Sequence, residues 1–375
     1  MNETKKREVG GFLFYFPPAA IAFTAFFAVA LVVRIVGASS TAVADAVTST
    51  VGAAFRAAMA TVTGWFSFSL AEMLLLLSPV FLGLFIWLVV ARAKKGIEYL
   101  LRLLIIVLSI LLLILGTFFT AVGVSYGCTR PEEKMELDTG SLVQNDYYEA
   151  ARILLTEIAA VQSEIKYDET GASVMPYSME KLSEKLCDAY DRMNADLHLT
   201  QTIRARAKSI LLSEPMMYTH LSGIYSYFTG EANLNVNYPD YIVVSSAAHE
   251  FAHQRGIAPE DEASFVALIA CLYSDDPYIR YSGCLDIYGT VSSELRKASP
   301  ELYKKLTSEY LTNEVIGELN AYYVMFQKYA DNSVAKVSDK VNDAYLKSQG
   351  QQAGTKSYDM VFSLAVAYLV RSYNK

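Results

Sequence analysis

The sequence predicts three N-terminal membrane-spanning helices followed by a mainly helical α+β domain with a small edge β-hairpin. Three observations carry that expectation. Long apolar runs occupy about residues 12–36, 70–90 and 103–124. From about Met135 the composition turns charged, tyrosine-rich and helically periodic. Within that second part, His249, Glu250 and His253 stand as H-E-x-x-H. The expected division is therefore a membrane domain over 1–124 and a second domain over 125–375, which a chain of 375 residues accommodates.

Composition narrows the class first. The chain is 53% hydrophobic, with positive mean hydropathy and a net charge of -7. The acidic balance argues against nucleic acid, and no basic aromatic patch contradicts it. Residues 1–10 are polar and carry Lys5, Lys6 and Arg7. The apolar run after them, interrupted by Pro17-Pro18, exceeds a signal-peptide core and suits a spanning helix of about 20 residues. Ala42-Val43-Ala44 imitates a signal-peptidase site, but it follows an oversized apolar run, so the span is expected to be retained.

Thr41 to Phe68 is rich in Ala, Thr and Ser, with Asp45 and Arg56 as its only charges, and reads as a helical loop near the bilayer surface. Leu70 to Val90 is the second span, with Glu72 near its outer end and Pro79 a candidate kink. Arg92, Lys94, Lys95 and Arg102 mark a short basic loop before the third span. Basic residues favour the cytoplasmic side, so the N-terminus and this loop belong there. Three crossings then deliver Ser125 onward to the outside. The expectation is a multi-pass cell-membrane protein, with the lipid bilayer as partner and the C-terminal domain extracytoplasmic.

In the second domain, Val143 to Ile165 and Ser178 to Leu197 have apolar residues at helical spacing, with Ser178 a candidate N-cap and Glu180 in the first turn. Thr170 to Pro176 links them. Leu221 to Tyr227 and Ala232 to Val236 alternate as short strands joined at Thr229-Gly230. Further helices read at Asp276 to Lys297, Pro300 to Leu311, Asn313 to Tyr329, Val334 to Leu346 and Tyr358 to Tyr373. The last is too short to cross a bilayer and is expected in the core.

The chemistry concentrates in one stretch. Four-residue spacing puts His249 and His253 on one helix face, one turn apart, where they can share an ion. Glu250, beside the first histidine, is placed to take a proton from water rather than to ligate. Two imidazoles and one carboxylate suit zinc and leave a fourth position open. The chain has four histidines, at 198, 220, 249 and 253, so half of them are here. Gly256 suits the end of that helix, and Pro259 the first turn of the next. A third histidine six residues after the second is excluded, because Pro259 stands there. Glu260, Asp261 and Glu262 are the candidates, although acidic residues in a first helical turn also complement the helix dipole.

Glu260-Asp261-Glu262-Ala263-Ser264 resembles the E-x-x-A-[DN] helix of glutamate-type zincins. By that match Glu260 is the third ligand, Glu262 the runner-up, and Ser264 replaces the usual Asp or Asn. More widely, YSYFTGEANLNVNYP (Tyr225 to Pro239), HEFAHQRG, EDEASF and RYSG (Arg280 to Gly283) are similar to an uncharacterised bacterial membrane family. Its members carry G-E-A-x-x-N, H-E-x-A-H-Q-x-G, E-D-E-A-N-F and R-Y-S in that order, and are regarded as candidate zinc metallopeptidases. The resemblance implies a zincin-like metallopeptidase domain holding one zinc per chain. Its substrate would be a peptide or protein, with membrane and envelope proteins among the candidates. Zincins set an edge strand above the active-site helix, and Glu231 to Asn237 is the candidate here, able to pair with an extended peptide. Arg280, Tyr281 and His220 are candidates to polarise a scissile carbonyl.

The expected activity is that of a zinc metalloendopeptidase with Glu250 as general base. The alternative is a non-enzymatic membrane protein that uses the fold to bind a partner; a third option is a metallohydrolase acting on a non-peptide bond. The intact Glu250 favours the enzyme, since a structural zinc site needs no base. Cys128, Cys187, Cys271 and Cys284 form no C-x-x-C pair; Cys271 and Cys284 are expected as free buried thiols, with a bridge between adjacent helices as the alternative.

Overall fold

A computed structural model describes residues 11–373, so Lys5, Lys6 and Arg7 lie outside the described residues. The chain is mainly helical with a small sheet, and it divides into two compact units. One runs as far as Gly52 and resumes over Leu70–Cys128; the other comprises Ala53–Ser69 and Thr129–Lys375.

The first stretch of chain forms α1 (Pro18–Gly37), α2 (Thr41–Val47), α3 (Ala53–Gly64), α4 (Leu70–Leu76), α5 (Ser78–Ala93) and α6 (Ile97–Ala121). Among the described residues, two helices are long and apolar enough to cross a membrane: α1, and the continuous segment Ile97–Gly127 that includes α6. They pack on each other, with Gly116 against Phe26 and Phe27, and Phe27 stacked on Phe119 at 6.0 Å. Helices α4 and α5 reach the same length only together and are bent by 53°. Pro79 accounts for the break, because it lacks the N–H that would bond one turn back and its ring crowds that turn.

The second unit adds α7 (Gln144–Val161), α8 (Met179–Leu197), β1 (Ala207–Ser209), β2 (Gly223–Ser226), β3 (Glu231–Leu234), α9 (Asp240–Gln254), α10 (Glu260–Leu272), α11 (Pro277–Ala298), α12 (Pro300–Tyr310), α13 (Asn313–Gln327), α14 (Ser333–Ser348) and α15 (Val361–Tyr373). Side-chain caps explain several starts. Ser178, Asp276, Ser299, Thr312 and Asn332 each accept from a backbone N–H of the first turn, a contribution of about 1 kcal/mol apiece. The last helix begins at Val361 rather than Tyr358, after a 3-10 segment over Gly354–Met360. Leu364, Ala365, Val366 and Leu369 bury its apolar side, as its shortness and composition predict.

The sheet order is β1-β3-β2, with β1 parallel and β2 antiparallel to β3. The hairpin turns at Thr229-Gly230 as expected, but β3 is the central strand, so Glu231 to Asn237 does not supply the edge. The edge facing the site helix is β2. β1, too short to alternate legibly, arrives from upstream and covers the far side of β3.

Helix α9 lies at the centre of this unit, packed by α10, α11, β2 and β3. Ala247, Ala248 and Phe251 are fully buried, and the Tyr190 hydroxyl donates to the Ala248 carbonyl at 2.7 Å. Helix α3 is anchored in the same unit. Its Arg56 is buried and donates to Gln201 Oε1 at 2.6 Å, while Lys208 Nζ donates to the Thr63 carbonyl at 3.0 Å and to that of Phe66. Cys271 and Cys284 are free and buried.

Candidate metal centre

Helix α9 presents His249 and His253 on one face, and the start of α10 brings Glu260 to meet them. His249 Nε2 lies 3.0 Å from His253 Nε2 and 3.1 Å from Glu260 Oε2; the third side, His253 to Glu260, is 3.3 Å. Ligands at about 2.0–2.1 Å around a tetrahedral zinc stand about 3.3 Å apart, so the triangle is close to the size that ion requires. These three residues form a metal-competent cluster among the described residues.

The chain between the helices sets the geometry. Gly256 adopts φ 99°, which a side-chain-bearing residue adopts only with strain, and the chain folds back so that Ile257 N–H bonds Ala252 O at 3.1 Å. The Ile257 carbonyl thereby meets His253 Nδ1 at 2.8 Å. A carbonyl can only accept, so Nδ1 carries a proton, and Nε2 is the nitrogen that faces the cluster. His249 Nδ1 lies 3.0 Å from Ser264 Oγ, one turn into α10. Ser264, which stands where the motif it resembles has Asn or Asp, thus presents a side-chain oxygen to the ring.

Electrostatics favour positive charge between these atoms. Burial alone would lower the His253 pKa, but the charge and hydrogen bond of Glu260 outweigh it and raise the imidazole to about 9. Burial would raise Glu260, yet His253 and His249 hold it well below the usual carboxylate range. Burial raises Glu250, with the two histidines opposing. Its carboxylate accepts the backbone N–H of Tyr225 on β2, and Gly223 lets the strand approach it. A Cβ at Gly223 would stand 2.7 Å from Glu250 Oε1.

The three acidic candidates separate cleanly. Arg130 Nη2 donates to Asp261 at 3.1 Å and its Nε to Glu262 at 3.0 Å, and it also pairs with Glu132. Burial, with the Asp261 charge added, raises Glu262 to about 8. Glu260 alone of the three faces the histidines.

Arg280 and Tyr281 are engaged elsewhere. Arg280 pairs with Glu157, and the buried Tyr281 hydroxyl donates to Glu318 Oε2 at 3.0 Å. His220 donates through Nε2 to the Tyr329 carbonyl at 2.8 Å and rests on Phe326.

Two residues that sequence reasoning missed stand at the site instead. Tyr358, in the 3-10 segment before α15, hydrogen-bonds Glu260 and is steadied by Asn342 at 3.4 Å. Burial, together with the Glu260 and Glu250 charges, pushes its phenol above the ordinary range. Asp286 of α11 shares with His249, Ser245 and Ser264 a recess of about 20 Å³, room for roughly one water. Neither carries a local signal, because one is a tyrosine in a tyrosine-rich chain and the other an ordinary helical aspartate.

Residues 49–366 match a family described as "Protein of unknown function (DUF3810)". No curated protein and no solved structure matches the chain.

Proposed function

The chain belongs to this family of unknown function, and we propose that it is a membrane-anchored zinc-dependent metalloendopeptidase with a zincin-like domain. The observation that carries the proposal is the meeting of His249, His253 and Glu260 at 3.0–3.3 Å, with a buried Glu250 next to that cluster but outside it. His249, His253 and Glu260 would hold the zinc. When bound, zinc supplies a Lewis acid with an open position and lowers the pKa of water to about 7.

The chain's own groups perform the rest. Edge strand β2 offers its outer side to an extended peptide by main-chain pairing, beside Glu250. Glu250 accepts a proton from water as the water oxygen attacks the carbonyl carbon. It then returns that proton to the amine nitrogen as the C–N bond breaks. Burial shields it from bulk water, and the Tyr225 N–H keeps it oriented. Tyr358, donating a hydrogen bond beside Glu260, can turn the same hydroxyl toward the charge that develops on the carbonyl oxygen.

The proposed topology has three spans. The spans would be α1, the bent pair α4–α5 taken as one crossing, and Ile97–Gly127; the length and apolar character of these segments support that reading. Arg92, Lys94 and Lys95, between the second and third spans, favour an extracytoplasmic metal centre.

The test compares wild type with Glu250→Gln. Both should hold one zinc per chain, while the variant loses about 10²–10⁴-fold in peptide cleavage across an unbiased library. Identical cleavage profiles would refute the peptidase reading.

A further inference from the structure

Helix α3 is inverted relative to an ordinary surface helix. Its buried residues are Arg56, Ala60 and Thr63, whereas Ala54, Ala58, Thr61 and Val62, and Trp65 just beyond its end, are exposed at helical spacing. Arg56 is the only charged residue between Ala46 and Ala71, and it is fully buried. A helix facing water puts its charge outward and its apolar residues inward. This one buries its only charge and leaves Val62 exposed.

The apolar surface continues beyond the helix. Trp65 is 79% exposed, with Phe66 and Phe68 following. Gly230, in the β2–β3 turn, lies against Met59 and Ala60 of α3, and Phe228 of the same turn is 48% exposed. Leu211, 74% exposed, follows Lys208, which binds the end of α3. One residue after this unit breaks off at Ser69, the apolar pair α4–α5 begins. Uncharged aromatics beside a membrane entry are the composition of an interfacial belt.

We infer that α3, the segment Trp65–Phe68 and the β2–β3 turn lie in the lipid headgroup layer, and that the metal centre acts on polypeptides themselves anchored in the bilayer. The second half rests on the peptidase reading. β2 carries Tyr225, whose N–H binds Glu250, and Phe228 follows at most ~10 Å along the chain. Gln254 of α9 donates to the Gly230 carbonyl at 2.6 Å, so the turn is tied to the site helix. The headgroup layer adds about 5–8 Å. A polypeptide leaving the hydrocarbon therefore reaches Glu250 after roughly five extended residues. The substrate class is the stretch of a membrane-anchored protein just outside the bilayer.

Single-tryptophan proteins in phosphatidylcholine nanodiscs test the surface, with Trp87→Phe throughout. Trp65 alone, and Phe228→Trp or Leu211→Trp with Trp65→Phe, are read with lipids brominated near the headgroup. Blue-shifted emission quenched by these lipids is expected at all three positions. Quenching of Trp65 but of neither Phe228→Trp nor Leu211→Trp would overturn the inference and leave the turn to a soluble partner or a second copy. The measurement needs neither zinc nor turnover and should be unchanged by His249→Ala. Failure here with zinc retained defeats the membrane surface alone; quenching without zinc in the wild type defeats the peptidase alone.

Discussion

His249 Nδ1 and Ser264 Oγ stand 3.0 Å apart, joining α9 to α10 behind the cluster. The serine holds the ring in the orientation that turns Nε2 toward His253 and Glu260. Ser264→Ala removes that partner and should weaken zinc affinity by about 10–100-fold, read by chelator competition. Ser264→Asn restores a side-chain oxygen and should recover most of the loss. Equal affinity in all three proteins would show that the ring needs no such support.

Glu260 and Glu262 are two residues apart but face different partners. Glu260→Ala should leave the protein without stoichiometric zinc, whereas Glu262→Ala should retain it, because Glu262 is held by Arg130. Metal analysis of the two purified variants decides the order, and the reverse outcome would exchange their roles.

Gly223→Ala places a methyl group 2.7 Å from Glu250 Oε1, too close for both to stay in place. Strand or carboxylate must move, so cleavage should fall by about 10²-fold or more while zinc content holds. Unchanged turnover would mean that β2 does not position the base.

Glu318 is buried, and that burial raises its pKa despite the Ser173 and Tyr281 hydrogen bonds it accepts. The folded protein therefore binds this proton more tightly than the unfolded chain does. Its contribution to stability is fully present below the ordinary carboxylate pKa of about 4.3 and is lost as pH rises through the raised folded value. Glu318→Gln keeps the acceptor oxygen and cannot ionise. Its melting temperature should decline less between these two pKa values than that of the wild type. Parallel curves would count against a proton held at Glu318.

The sequence by itself determined what helix periodicity and apolar length encode. Four residues make about one helical turn, so the pairing of His249 with His253 follows from α9 being a helix. Gly256 and Pro259 mark the break before α10 because few other residues suit those backbone conformations. The apolar runs are legible because a bilayer demands a minimum length.

Only the tertiary structure decided which partner each side chain meets. Glu260, Asp261 and Glu262 look alike in sequence, and Arg130, more than a hundred residues upstream, is what separates them. Tyr358 reaches Glu260 from near the other end of the chain, while Arg280 and Tyr281, so much closer, are bound to Glu157 and Glu318. β3 became central because β1 pairs with it in parallel, and a three-residue strand carries too little alternation to be seen. The inversion of α3 likewise shows only once Arg56 is found buried against Gln201. Contacts between residues far apart in sequence arise from packing and charge pairing, which leave no local periodicity to read.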